Sequence, residues 1–115
     1  MSKISPAIAF CLLLSGAAFA QHSSTDHGAM GGMDKALMDS MTRMNNDMPR
    51  DTAGSVDADF VKMMIPHHQA AVDMAEVELA KGKDSEIRKL AEDIIAAQKK
   101  EIAQMNAWLK KNNVK

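Results

Sequence analysis

The middle of the sequence gathers side chains that bind metal ions. This segment reads Met63-Met64-Ile65-Pro66-His67-His68, and Met74 follows it. In a helix, at ~100° per residue, Met63, His67 and Met74 fall within roughly 40° of one another on one face. Met64 and His68 form a second pair on the adjoining face. The spacing therefore places two neighbouring sets of sulfur and nitrogen donors on one helix.

Thioether sulfur and imidazole nitrogen favour a particular class of metal ion. Thioethers are poor ligands for hard ions and suit Cu(I), while imidazole suits copper in both oxidation states. Ag(I) has the same charge and similar softness, so we expect it to follow Cu(I). Neither the clustered oxygen ligands of a calcium or magnesium loop nor a His-Glu-x-x-His zinc motif occurs. The donor types predict a site for copper as Cu(I), and for Ag(I).

Methionine also has an ordinary use, because it fills irregular gaps in a core. The chain has 11 methionines, no tyrosine and 3% aromatic residues, which predicts an aliphatic and thioether-rich core. We assign Met105 to that core, since it continues an Ile and Leu stripe. Four more methionines crowd an earlier segment and spread over more of a helix than one core stripe requires, so we count them as candidate ligands: Met38, Met41, Met44 and Met48.

The histidines and their polar neighbours allow two interpretations each. Two consecutive histidines cannot both face one core, so at least one is free for solvent or metal. Gln98 and Glu101 lie at the margin of the apolar stripe of the last helix. They either orient His67 or His68 for a metal, or are simply rim residues of an amphipathic helix, which the pattern favours.

The segment 21–32 is rich in Ser, Gly, His and Asp and has no apolar periodicity, which predicts a flexible tail. It brings a further set of donors with no packing role, which predicts a weaker metal site: His22, His27, Met30 and, just beyond, Met33. Its affinity is expected to be lower because the segment must become ordered on binding.

Residues 1–20 read as a signal peptide. Lys3 precedes an apolar run, and Ala18-Phe19-Ala20 supplies the small residues of a cleavage site before Gln21. We therefore expect export to the periplasm and no membrane span after the leader is removed. The single cysteine, Cys11, lies in the leader, and bulky Phe10 before it disfavours lipid attachment. Stability must then come from helix packing rather than disulfides.

Residues 33–115 are expected to form one all-α domain, an antiparallel helical bundle. A first helix should run from Met33 or Asp34 to Met48, where Pro49 ends it. A second should run from Ala58 to Lys81, with Asp57 as N-cap and Gly82 as a left-handed stop. Pro66 inside it predicts a kink or a wider groove at the point where the candidate ligands gather, or is only a tolerated kink with no such role.

Asp84 and Glu86 suit the start of a third helix, and Lys110 and Lys111 its end. The short connection predicts a long antiparallel hairpin of the second and third helices, with the shorter first helix packed across it. Part of the hairpin's apolar surface is left uncovered. Either a homodimer or an extra turn from the tail would cover it, and the sequence leaves both open.

These motifs resemble the CopM-like domain-of-unknown-function family of exported proteins. The resemblance covers Asp57 to Leu109 and is carried by Met-Ile-Pro-His-His and by the later pattern Leu90-Ala91-x-x-Ile94-Ile95-x-x-Gln98-x-x-Glu101. It implies a ferritin-like helical bundle that binds Cu(I) and Ag(I) in periplasmic copper tolerance. The resemblance implies that the metal ligands of this chain are Met63, Met64, His67, His68 and Met74. It also implies that methionines of the first helix bind the same ion. No Glu-x-x-His occurs, so a di-iron oxidase is unsupported.

We therefore predict a copper buffer or carrier without catalytic residues. Its partners would be metal ions and periplasmic copper-exporting or copper-oxidising proteins. The formal net charge of −1 gives no basic excess for nucleic acid. The alternative function is an envelope chaperone that uses flexible methionines on a helical surface. An enzyme that oxidises Cu(I) has the least support, because no acid, base or redox pair is recognisable.

Overall fold

A computed structural model describes residues 32–115 of the chain. It contains three helices: α1 (Lys35–Asp47), α2 (Val56–Lys81) and α3 (Ser85–Lys111), and no strand among those residues. The predicted all-α class, with a long hairpin and a shorter N-terminal helix, is confirmed. The predicted leader (1–20) and most of the predicted tail lie outside the described residues.

The helix starts follow from short polar side chains. Asp34 accepts the Ala36 N–H at 2.8 Å and begins α1, and Asp84 accepts the Glu86 and Ile87 N–H groups and begins α3. The predicted N-cap of α2 at Asp57 is wrong. Ser55 holds that position, with extended backbone and its hydroxyl accepting the Ala58 N–H at 3.1 Å. Asp57 instead lies in the first turn, where its carboxylate favours the positive helix end.

The end of α2 also differs from the expectation. Gly82 has φ −68° and ψ 155°, so it is extended and not left-handed. Arg88 of α3 donates to the carbonyls of Leu79 and Gly82 at 2.5 and 3.2 Å, so a left-handed cap is not needed to satisfy this helix end. Glycine is still required for space, because a Cβ at Gly82 would lie 2.6 Å from the Glu78 carbonyl oxygen.

Helix α2 lies between the other two helices. Its His68 meets Glu101 of α3, while Val77, ~180° further round at 100° per residue, lies beside Asp34 and Leu37 of α1. Among the described residues, no Cα of α1 comes within 8 Å of a Cα of α3. The first helix therefore packs on α2 and not across both helices of the hairpin as expected. It meets α3 only across grooves, which Leu37 shares with Leu90 and Asp47 shares with Leu109.

The core is thin and made of small side chains. Its buried apolar residues are Ala58, Ala70, Val72, Ala75 and Ala91. No methionine of the described residues is buried, so the expected thioether-rich core is wrong. Alanine at these contacts lets the helix backbones approach closely and leaves the long side chains at the edges of the contacts.

Large apolar side chains remain exposed along the hairpin, as the sequence predicted. Phe60 is 61% exposed and Leu90 53%. Cover by a second copy or by the tail stays a prediction.

Helix α2 continues without a break through Pro66. Within residues 32–115, no helix has the length and apolar character needed to cross a bilayer.

The corrected N-cap gives a test by mutation. Ser55→Ala should cost about 1 kcal/mol because the Ala58 N–H loses its acceptor, which lowers the melting temperature by about 4–8 °C in a domain of this size. Asp57→Ala is the matched control and should cost only a few tenths of a kcal/mol, through the helix dipole. Thermal unfolding followed by circular dichroism measures both. A larger loss for Asp57→Ala would contradict the assignment.

Candidate metal centre

The two consecutive histidines of α2 have different surroundings. His67 is exposed, whereas His68 is 8% exposed and faces α3. Their ring centroids are 6.1 Å apart and the rings are tilted by 57°. As expected, only one of them faces the core. The candidate ligands of α2 therefore form two groups by helix face. The first is Met63 and Met74 with His67, and the second is Met64 with His68.

The first group depends on how α1 lies along α2. Lys81 binds Asp34 at 2.9 Å and Arg43 binds Asp73 at 3.2 Å, so the two helices are antiparallel. Three residues after Asp34 along α1 comes Leu37, and three residues before Lys81 along α2 comes Glu78. These two residues therefore lie at the same height along the antiparallel pair. These two residues line the same grooves, which supports the register.

The same register brings methionines of α1 to the height of candidate ligands of α2 along the helix pair. It brings Met41 level with Met74, and Met48 level with His67. Leu37 lines a groove with Met74, and at ~100° per residue Met41, Met44 and Met48 lie within roughly 40° of Leu37 around α1. We call this set the methionine stripe; its members are Met41, Met44, Met48, Met63, His67 and Met74.

The burial of the methionine stripe fits an accessible surface. Met41, Met44, Met48 and Met74 are half-buried, and Met63 is 49% exposed. Met38 is also half-buried, but it lies ~60° beyond Met41 around α1 and so falls off the stripe. Helical spacing therefore puts Met41, Met44 and Met48 on the side of α1 that carries Leu37, and puts Met38 outside it.

Met63 borders the loop between α1 and α2. It lines a hollow of about 210 Å³ with the segment 49–52 and Asp59. Asp59 fixes this loop by accepting the Ala53 N–H at 2.5 Å and the Thr52 hydroxyl at 2.9 Å. These bonds, the Ala53 N–H above all, lower the pKa of the Asp59 carboxyl below its ordinary value of 3.8.

The second group lies in a groove between α2 and α3. This hairpin groove has a volume of about 290 Å³ and is lined by Phe60, Met64, His68, Glu101, Gln104 and Met105. The His68 Nε2 lies 2.5 Å from the Glu101 Oε2, while the His68 Nδ1 is buried without a hydrogen-bond partner. Glu101 therefore contacts the histidine, although its side chain is 54% exposed as a rim residue would be.

Met105 is the residue that the sequence analysis missed. It was assigned to the core, yet it is half-buried and lines the hairpin groove with Met64 and His68. The signal was present: in an antiparallel hairpin where His68 meets Glu101, Met64 and Met105 fall level with each other. Gln98 is half-buried and does not line this groove.

The remaining candidates come from the predicted tail and the start of α1. Met33 is 51% exposed just before α1. His22, His27 and Met30 lie outside the described residues. Within residues 32–115, no group of three or more His, Cys, Asp or Glu side chains could hold a metal ion.

Two comparisons with known proteins bear on the chain. The family model described as "Domain of unknown function (DUF305)" matches residues 13–109. An uncharacterized protein of Acanthamoeba polyphaga mimivirus is 42% identical over 53 residues, which are 46% of this chain and 35% of the viral protein. The chain thus spans about a third of the length of this curated relative.

The Asp59 bonds predict how the loop beside Met63 responds to acid. The carboxyl should titrate below 3.8, because its charged form accepts the Ala53 N–H. Since the folded pKa is lowered, the stability from this bond is present above the unfolded pKa and is lost as pH falls through the folded value. An NMR titration should show the Asp59 carboxyl carbon and the Ala53 amide shifting together. Asp59→Asn should abolish the amide response; an ordinary pKa would contradict the prediction.

Proposed function

The chain belongs to the DUF305 family, and we propose that it binds Cu(I), and also Ag(I), through methionine and histidine side chains. In this proposal it is a CopM-like member of the family, a periplasmic copper buffer or carrier in copper tolerance. The observation that carries the proposal is the register of α1 on α2, which brings Met41 level with Met74 and Met48 level with His67.

The donors of the methionine stripe match a soft monovalent ion. Thioether sulfur and imidazole nitrogen suit Cu(I), whereas hard ions need oxygen ligands. No group of carboxylates within residues 32–115 competes for the ion. The donors come from two helices, so a bound ion would link α1 to α2.

The burial of the methionines supports the same proposal. A methionine that only filled the core would be buried, and none in the described residues is. Met63 leaves half of its surface in water and gains little from packing. Accessible thioethers can take up and pass on an ion by exchanging one ligand for another, which suits a carrier better than a closed structural site.

Location and partners belong to this proposal too. The leader in residues 1–20 would deliver the protein to the periplasm, where copper-exporting or copper-oxidising proteins would supply or receive the ion. The proposal assigns no catalytic residue. Soft ions are the cargo, and the chain provides their ligands.

A second candidate function, an envelope chaperone, is favoured by the exposed apolar side chains. Phe60 and Leu90 each leave more than half of their surface in water, and flexible methionines lie nearby. Such a surface can bind apolar segments of other proteins. It predicts suppression of a client's aggregation to the same extent with and without Cu(I). Suppression that appears only with Cu(I), or none at all, would argue against it.

The copper proposal is tested by competition for Cu(I) against a colorimetric chelator under reducing conditions. Met63→Leu, Met74→Leu and His67→Gln together remove three donors while nearly conserving volume. The affinity should fall by about tenfold or more, since tenfold corresponds to only 1.4 kcal/mol. Met38→Leu is the control, because Met38 lies off the methionine stripe. It should leave the Cu(I) affinity unchanged.

Two results of this competition would contradict the proposal. One is that the unaltered protein takes no Cu(I) from the chelator at micromolar copper. The other is that the triple variant competes as well as the unaltered protein while circular dichroism shows both equally helical.

A further inference from the structure

One side of the α2–α3 hairpin carries large apolar side chains in water. At ~100° per residue, Phe60, Ala71 and Glu78 lie within roughly 20° of one another around α2, and each lines a groove on this side. From α3, Ile87 and Leu90 border one of these grooves and are 47% and 53% exposed. Phe60 is 61% exposed. We call this side the open face, after these five residues.

The opposite side of α2, the outer face, has a different character. Lys62, Gln69 and Glu76 lie there, ~180° from Phe60, and Gln69 and Glu76 are exposed. Within residues 32–115, none of the exposed large apolar side chains of α2 or α3 lies on the outer face. Exposed apolar side chains gathered on one face mark an interaction surface. The open face is therefore the side on which a partner would pack.

We propose that a second copy of this chain covers the open face. The two hairpins pack face to face and antiparallel, so that α2 and α3 of both copies form a four-helix bundle. Helix α1 lies beside this bundle, next to α2 and away from α3. The inference goes beyond the proposed function, because the packing involves no metal ion.

The predicted tail is too short to cover the open face. The segment 21–31 lies between the predicted cleavage site and the described residues. Even as a helix it would extend about 17 Å at 1.5 Å per residue, and Met30 is its single large apolar side chain. It could not reach both Phe60 and Leu90, which lie towards opposite ends of the face. A second copy meets this requirement.

The size of the open face suits a stable dimer. It runs along α2 from Phe60 to Gly82, whose carbonyl accepts from Arg88 of α3, a distance of about 33 Å at 1.5 Å per residue. Two helices side by side are about 20 Å wide. The face thus offers about 650 Å² per copy. Burying it on both copies removes about 1,300 Å² from water, which falls in the range of roughly 1,200–2,000 Å² for stable interfaces.

The charges at the helix ends favour the antiparallel arrangement. Helix α2 has Asp57 in its first turn and Lys81 in its last, and α3 has Glu86 in its first turn and Lys111 in its last. When each helix packs antiparallel on the same helix of the other copy, its acidic start lies beside a basic end. A parallel arrangement would bring like charges together.

The sizes of the side chains fit the same arrangement. Ala71 lies near the middle of the open face, with Phe60 towards one end and Leu90 towards the other. A small side chain at the centre lets the two α2 helices approach closely. The antiparallel arrangement then brings Phe60 of each copy to the end of the other copy that carries Leu90. The surface is thus complementary to itself, as a two-fold interface requires.

Sedimentation equilibrium of the purified protein, with a metal chelator present, tests the proposal. We expect the mass of two copies at micromolar concentrations. Leu90→Glu should raise the dissociation constant by about tenfold or more, because a carboxylate would be buried in an apolar contact. Ala80→Glu is the matched control. It adds the same charge at nearly the same height, but on the outer face, where Ala80 is exposed, and should leave the dissociation constant unchanged.

Three results of this experiment would overturn the proposal. The first is a single copy at every concentration, whatever covers the face. The second is a dimer that Leu90→Glu and Ala80→Glu weaken equally while circular dichroism shows both variants helical. The third is a dimer that forms only after Ag(I) replaces the chelator, because the proposed packing needs no ion. Competition for Cu(I) tests the proposed function separately.

A cross-link gives a second measurement that does not depend on weakening the dimer. A residue near a two-fold axis lies close to the same residue of the other copy, and the one natural cysteine, Cys11, lies in the predicted leader. In the chain without its leader, mild oxidation of Ala71→Cys should therefore link two copies by a disulfide. Gln69→Cys, on the outer face, should link far less. Equal linking of the two variants would overturn the face-to-face arrangement.

Discussion

The arrangement of this protein depends on one helix being packed from two opposite sides. Helix α2 contacts α1 on one side and α3 on the other, and within residues 32–115 those two helices meet only across grooves that both line. Small residues make both contacts possible: Ala70, Val72 and Ala75 of α2 are buried, as is Ala91 of α3. Because alanine fills so little space, the long side chains remain at the edges of the contacts.

This constraint explains why the methionines are accessible. A closed three-helix bundle would bury its long apolar side chains between all three helices. Here α1 covers one side of α2 and leaves the space between α1 and α3 open, so Met74 borders a groove and Met63 is half exposed. The same packing leaves His67 exposed and puts His68 in the groove that Met64 and Met105 line. The proposed copper chemistry therefore follows from an open packing arrangement.

Much of this arrangement could be predicted from local sequence signals. The start of α3 at Asp84 and the long hairpin depend on neighbours in the chain, and these predictions agree with the structure. Ser55 was missed because Asp57 is an equally good capping residue by type, and only the backbone of the loop decides between them. The predicted end of α2 at Lys81 and Gly82 is confirmed, but the left-handed conformation of Gly82 was wrong because Arg88, from the next helix, donates to the carbonyls there.

The features that sequence could not supply are contacts between helices. Whether α1 lies across the hairpin or on α2 alone depends on which faces the small residues leave open. Met105 was interpreted as core because its own helix shows an apolar stripe. Met64, which lines the same groove, lies on the other helix of the hairpin. Glu101 was interpreted as a rim residue because its own helix shows only an amphipathic pattern. Its contact with the buried His68 arises from the packing of α2 on α3, which neither helix shows alone.

The central claim is that soft monovalent ions bind to methionine sulfur beside the imidazoles of α2. Crystals of the Ag(I)-loaded protein, measured for the anomalous scattering of silver, test it most directly. The account predicts silver at bonding distance from thioether sulfurs of the methionine stripe, with His67 nitrogen among the ligands. Silver bound only to surface carboxylates, or no ordered silver at all, would contradict it.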